Sequence, residues 1–251
     1  YSFRHHDEDL TLRPEGTAGA ARAYVEHNVH NAEPVSRWYY LGPMFRGERP
    51  ARGRYRQFYQ LGAEIFGDPG PGCDAETIAM LVAFIQSLGV PDIEVLVNSL
   101  GSAETRPKYR EALVAFFEPK RGSLSEESQR RLERNPLRIL DSKDPRDVAA
   151  SEGAPNVADV MSEDDKDHFD RFRRLLDALG VAHRVDSKLV RGLDYYTRTI
   201  FEIKGAKAKL GAGDTLAAGG RYDGMIEDLG GPKVPALGFA AGLERLVIAA
   251  E

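Results

Sequence analysis

The strongest constraint on the fold is a pair of extended runs, "SRWYYLGPMF" over 36–45 and "RQFYQLGAEIF" over 56–66, separated by a stretch containing Pro50 and Gly53. Aromatic and β-branched residues bounded by turn formers predict two strands and a long hairpin loop. Such a pair commits the chain to an antiparallel sheet. Side chains alternate across a strand, so Phe58, Gln60, Gly62 and Glu64 share one face of the second run. The other face carries Tyr59, Leu61, Ala63 and Ile65, an apolar surface expected to pack on helices as the strand's only core face. The first face offers an aromatic plate, an amide and a carboxylate in a row, with a glycine between them. A small polar ligand could sit there; the plain alternative is an exposed sheet face.

The hairpin loop holds five arginines, Arg46, Arg49, Arg52, Arg54 and Arg56. A solvated basic loop is the ordinary explanation, and phosphate binding is the other. Because the net charge is -5, the whole-molecule field does not draw in phosphate, and a nucleotide would have to be met by a local cluster of this kind. One cysteine, Cys73, excludes an internal disulfide framework and a cysteine-rich zinc site. His5 and His6 lack partner ligands at a usable spacing, so no zinc is expected. No apolar run approaches membrane-spanning length, and "YSFRHHDEDL" lacks the regions of a signal peptide, which reads as a cytoplasmic protein with no membrane partner. A strand-like start and an end in mid-helix read as the cut edges of something longer.

Along the chain, Asp74, Ile78, Leu81, Val82, Ile85 and Leu88 recur at helical spacing before Gly89, and "IEVLVNSL" follows as a strand. Residues 102–184 change character. "KYREALVAFFEPKRGSLSEESQRRLERN" and "SEDDKDHFDRFRRLLDALG" are charged and helical, the second with an apolar stripe of Phe169, Phe172, Leu175, Leu176 and Leu179. Ser162 with Asp165 resembles a capping box ahead of it. The reading is an α+β fold, an antiparallel sheet flanked by helices. Its core is formed by 1–101 and 185–251, with 102–184 as an inserted helical module.

Further chemistry-bearing residues are scattered. Glu15 in "LTLRPEGTAG" is presented by a turn, Arg191 precedes two tyrosines in "RGLDYYTRTIFE", and "GLER" sets Arg245 in the first turn of the last helix. Each alone is ordinary surface. Together they supply arginines for phosphates, an aromatic for a base and carboxylates for an amine, a set suited to a substrate with both nucleotide and amino-acid character.

The chain resembles the catalytic domain of histidyl-tRNA synthetases, class II aminoacyl-tRNA synthetases. "FRGERPARGRYRQFYQLGAEIFG" resembles class II motif 2 and "GFAAGLERL" motif 3, while "LRPEGT", "RGLDYYTRTIFE" and "AGGRYDG" resemble the signatures of the histidyl enzymes. The resemblance implies a ligase that activates L-histidine with ATP and Mg2+ and transfers it to the 3′ end of histidine tRNA. It also implies residue roles. Arg46 and Arg191 would be catalytic, at the α-phosphate; Arg54 would reach the outer phosphates, Phe58 would stack on adenine, and Arg245 would close its other face and touch the γ-phosphate. Glu15, Thr17 and Gln60 would bind the amino-acid end of histidine. Glu64 and Tyr196 would read the imidazole with Tyr195 next in line, strand alternation favouring Tyr196 because both tyrosines cannot share a face.

Motif 1, which builds the dimer interface of the class, would precede Tyr1, and an anticodon-binding domain would follow Glu251, so a homodimer is an inherited expectation. The rival is a non-catalytic paralogue, the regulatory subunit of ATP phosphoribosyltransferase. That paralogue typically loses parts of these signatures, whereas Arg46, Arg54, Gln60, Glu64, Arg191 and Arg245 are all present here.

Overall fold

The computed structural model describes residues 1–90, 92–190, 195–205, 210 and 213–251. A small hairpin, β1 (Ser2–His5) and β2 (Glu8–Thr11), precedes α1 (Thr17–Glu26), β3 (Ser36–Phe45), β4 (Gln57–Phe66), α2 (Pro71–Ser87) and β5 (Ile93–Ser99). A helical stretch follows: α3 (Thr105–Phe117), α4 (Glu126–Arg134), α5 (Leu137–Leu140), α6 (Pro145–Ala150) and α7 (Glu163–Ala178). The chain then returns through β6 (Arg184–Val185), β7 (Thr197–Gly205), β8 (Thr215–Arg221), α8 (Met225–Asp228), β9 (Ala236–Gly242) and α9 (Leu243–Ala250).

Seven strands form one sheet in the order β3-β4-β9-β8-β7-β5-β6. Every pair in it is antiparallel except β5 with β6, where Leu96 and Val97 meet Arg184 and Val185. The sequence reading, an antiparallel sheet, needs that one amendment. A parallel neighbour requires a long crossover, and the helical stretch between β5 and β6 provides it.

One face of the sheet is covered by α2, α7 and α9. There Val95, Val97, Phe201, Ile203 and Ala241 meet Ile78, Leu81 and Ile85 of α2, Phe172 and Leu176 of α7, and Leu246 of α9. The other face packs Leu96, Ile200 and Phe66 against Ala21 and Tyr24 of α1, Met225 and Ile226 of α8, and Tyr222. The helices between α2 and α7 keep a core of their own, built on Tyr109, Leu113, Phe117, Leu132, Ile139 and Val157.

This packing corrects the expectation of a single core face on β4. Glu64 is fully buried and Gln60 and Gly62 are buried too, because α1, Tyr40 and Tyr222 cover the polar face. On the opposite face only Ile65 is buried, and Tyr59 is 44% exposed. Helix cover therefore fades along β4 toward the hairpin loop. On α7 the stripe is likewise narrower than its spacing implied: Phe172 and Leu176 are buried, whereas Leu175 and Leu179 are exposed. Ser162 caps the helix by accepting from the Asp165 N–H.

Charge ties the layers together. Asp74, in the first turn of α2, is fully buried between Arg221 Nη2 at 2.6 Å, His168 Nε2 at 2.9 Å and Thr199 Oγ1 at 2.6 Å. Burial alone would raise its carboxyl, but His168 and Arg221 outweigh it and hold it below the usual range. Arg198, in the left-handed region at φ 45°, reaches back from a bulge in β7 to Asp164, Asp165 and His168. Asp165 in turn accepts from Ser102 N and Oγ, both at 2.9 Å, and from Thr105 Oγ1 at 2.6 Å. Thr105 Oγ1 accepts from Ser162 N at 3.2 Å, so residues 102–105 and 162–165 form a neck through which the chain leaves the sheet and returns.

Candidate active site

A cavity of about 350 Å³ opens on the α1 side of the sheet, at the hairpin loop. The 36–45 and 56–66 pairing carries the arginine loop to its rim, and Arg46 N–H bonds Arg56 O at 2.9 Å to close the loop's base. Of the five arginines, Arg46 and Arg54 line the cavity. Arg49, Arg52 and Arg56 are exposed, as a solvated loop would have them.

Each lining arginine is aimed by protein contacts. Arg46 donates from Nε to Pro14 O at 2.8 Å and lies over the Phe58 ring, 4.9 Å from its centroid. Arg54 is ion-paired with Glu48. Arg245, from the first turn of α9, donates from Nε to Gly53 O at 2.9 Å and from Nη1 to Thr215 O at 2.6 Å. Burial first, and then the like charge of Arg54, press the Arg245 guanidinium below its usual value, with Arg46 adding to the effect. Three guanidinium groups thus converge where their mutual repulsion favours an anion.

The other end of the cavity gathers a carboxylate, an amide and hydroxyl groups. Glu15 accepts from Thr17 N at 2.6 Å and Ala18 N at 3.0 Å, so its carboxylate caps the start of α1 and is held rigid. Gln60 lines the wall and is buried, and its Oε1 has no hydrogen-bond partner among the described residues. An unsatisfied buried acceptor is a place for a ligand N–H. Thr17, Tyr195 and Tyr196 complete this side. Both tyrosines reach the cavity, their ring centroids 4.7 Å apart. The alternation that favoured one of them does not apply, because both residues precede β7.

Glu64 stands apart from the wall, fully buried beneath the cavity. Its Oε1 accepts from Thr17 Oγ1 at 2.7 Å and Tyr40 Oη at 3.1 Å, and its Oε2 accepts from Tyr222 Oη at 2.5 Å. Burial pushes the carboxyl up to about 8; the hydroxyls of Tyr222, Thr17 and Tyr40 pull against that, and the charge of Glu15 adds to it. Arg191 lies outside the described residues.

Sequence reasoning missed Tyr40, Glu48, Tyr222 and Glu244. Glu244 accepts from Tyr59 N at 2.9 and 3.1 Å and, like Glu48, lines the cavity. The glycine-rich "GGRYDG" contained Tyr222, but nothing local shows where its side chain goes. Tyr40 depends on register, since it pairs with Gly62 across the hairpin.

The family model for histidyl-tRNA synthetase matches residues 4–246. A histidine–tRNA ligase of Sorangium cellulosum is 65% identical over 247 residues, covering 98% of this chain and 58% of that protein. The chain therefore spans less than two thirds of that relative's length. The crystal structure of apo S. aureus histidyl-tRNA synthetase superposes with a TM-score of 0.80 at 39% identity, over 99% of this chain and 60% of that one. A Bacillus halodurans structure titled an ATP phosphoribosyltransferase regulatory subunit/histidyl-tRNA synthetase gives a TM-score of 0.71 at 24% identity over all of this chain and 68% of that one, a likeness of fold alone. With a matching family model over nearly its whole length, the chain belongs to the histidyl-tRNA synthetase family.

Proposed function

We propose that this chain is the part of a histidine–tRNA ligase that binds ATP and L-histidine and forms histidyl-adenylate, the whole protein then passing histidine to the 3′ end of its tRNA. The observation that carries this reading is one cavity in which Arg46, Arg54 and Arg245 face Glu15, Thr17 and Gln60.

In this reading the histidine carboxylate attacks the α-phosphate and pyrophosphate leaves. No protein nucleophile is required. Phosphoryl transfer is accelerated by alignment and by positive charge placed where negative charge develops. Arg46, fixed by Pro14 O, supplies that charge, and Arg191 joins it by family resemblance. Arg54 and Arg245 hold the outer phosphates, and the free face of Phe58 takes adenine. Glu15 receives the amino group and Gln60 the backbone end of histidine; Tyr196, with Tyr195 beside it, and Glu64 select the ring.

Mg2+ with ATP fits the donor set. It is ordinarily held by one or two carboxylates together with phosphate oxygens and water, and Glu48 and Glu244 bring two carboxylates to the cavity. Among the described residues no three His, Cys, Asp or Glu side chains are grouped to hold a metal alone. When bound, the ion would offset phosphate charge. Homodimerisation and a cytoplasmic location complete the proposal; among the described residues no helix is long and apolar enough to cross a membrane.

ATP–pyrophosphate exchange tests the reading. Exchange that depends on histidine supports it. Histidine binding without exchange would favour the regulatory-subunit alternative, and exchange indifferent to histidine would overturn the amino-acid assignment.

A further inference from the structure

Two of the three hydroxyls on Glu64, those of Tyr40 and Tyr222, have no role in the reaction as read above. Their placement is built. A Cβ added at Gly16 or Gly62 would come within 2.3 or 2.2 Å of the Tyr40 ring, and one at Gly238 would lie 1.6 Å from Glu64 Oε2. Three glycines on separate segments thus leave the volume that Tyr40 and Glu64 fill. Each carboxylate oxygen has two lone pairs. Thr17 and Tyr40 use both on Oε1, and Tyr222 uses one on Oε2.

We propose that Tyr40 and Tyr222 are positioning residues for amino-acid selection: with Thr17 they lock the Glu64 carboxyl in one orientation and leave it a single open acceptor, matched to one ring N–H of the bound amino acid. This rests on the reading of the cavity as a histidine site. A carboxyl free to rotate would accept from several donor arrangements, whereas a locked one with one lone pair open rejects a side chain that cannot donate there.

The groups facing Glu64 are Thr17 from α1, Glu15 ahead of it, Tyr40 from β3, Tyr222 after β8 and Tyr195 before β7, while β9 presents Gly238. The hydroxyls favour the ionised carboxyl against burial, so each hydroxyl removed moves its titration to higher pH.

The test uses the full chain with Tyr40→Phe, Tyr222→Phe and Glu64→Gln; the phenylalanines keep the rings and remove only the hydroxyls. The Glu64 carboxyl is followed by 13C NMR in ligand-free protein, its signal assigned by its loss in Glu64→Gln. Histidine and ATP affinities are measured by calorimetry across pH. Each phenylalanine variant is expected to shift the Glu64 titration upward and to weaken histidine about tenfold near neutral pH, with ATP affinity within about twofold. The pH of half-maximal histidine affinity should move with the carboxyl. A Glu64 titration unmoved in both variants, or parallel losses for histidine and ATP, would overturn the proposal. Wild-type protein that binds ATP but no histidine would overturn the cavity reading instead, distinguishable because the Glu64 titration would still move in the variants.

Discussion

Ionising Glu64 in the empty site costs folding free energy. Its carboxyl titrates near 8 in the folded chain against an ordinary value of 4.5. The sign follows from linkage: the folded state binds the proton more tightly, so stability is complete below about 4.5 and falls as pH rises toward 8, at about 1.4 kcal/mol per pH unit. Glu64→Gln should therefore melt higher than wild type at alkaline pH and close to it in mild acid, while binding histidine less tightly. Thermal melts of ligand-free protein at both ends of this range check it; a variant that loses stability with pH as steeply as wild type would contradict it. Arg245 permits a second comparison. Its bonds to Gly53 O and Thr215 O require a planar fork, so Arg245→Lys keeps the charge and loses the aim. ATP affinity should drop about tenfold, and histidine affinity should hold, as isothermal titration would show. At this scale the sequence was legible where a rule is local. Alternation put Gln60 and Glu64 on one face, and it failed at Tyr195 and Tyr196, which are not in a strand. Tyr40 and Tyr222 depend on strand register, which one sequence does not contain.

Among the elements, α4, the end of α5 and α6 are tied together by one carboxylate. Asp147 is fully buried and accepts from Ser125 N and Oγ at 2.8 Å, Ser128 Oγ at 2.7 Å and Ser142 Oγ at 2.6 Å. Burial opposes its ionisation, but the donors, Ser142 foremost, prevail and lower it to about 2. Here the folded state prefers the ionised form, so the stabilisation is present above the ordinary value of 3.8 and disappears as pH falls toward 2. Its size is about 2 kcal/mol. Asp147→Asn should loosen α4 to α6 by a similar amount while the sheet stays intact, read by hydrogen exchange at the amides of both regions; equal loosening of β7 and β8 would refute it. The strands of the hairpin, α2 and β5 could be read from the chain because their apolar periods are strong. The two-residue β6 has no period to read. The fading cover on β4 depends on where α2 and α9 end in space, and the buried Asp74, at an apolar-looking position, is explained by partners distant in sequence, His168 of α7, Thr199 of β7 and Arg221 of β8.

For the whole molecule, the α+β class was legible from the extended aromatic runs and the helical spacing of the segments between them. The attachment of α7 was not, since its exposed face is as charged as the helices before it while its buried face joins the main core. The neck gives that architecture a further meaning. Since residues 102–105 touch residues 162–165, the helices between them hang from the sheet as a cassette entered and left by one doorway. Loop length adds little to the cost of closing a doorway already pinned by Asp165, so what the frame draws from the cassette is the packing of Leu137 and Leu140 of α5 against its second core. Replacing residues 108–159 by a short glycine-serine bridge should leave a folded sheet that still binds ATP and histidine, checked by circular dichroism and calorimetry, and collapse of both signals would show that the frame leans on what hangs from it.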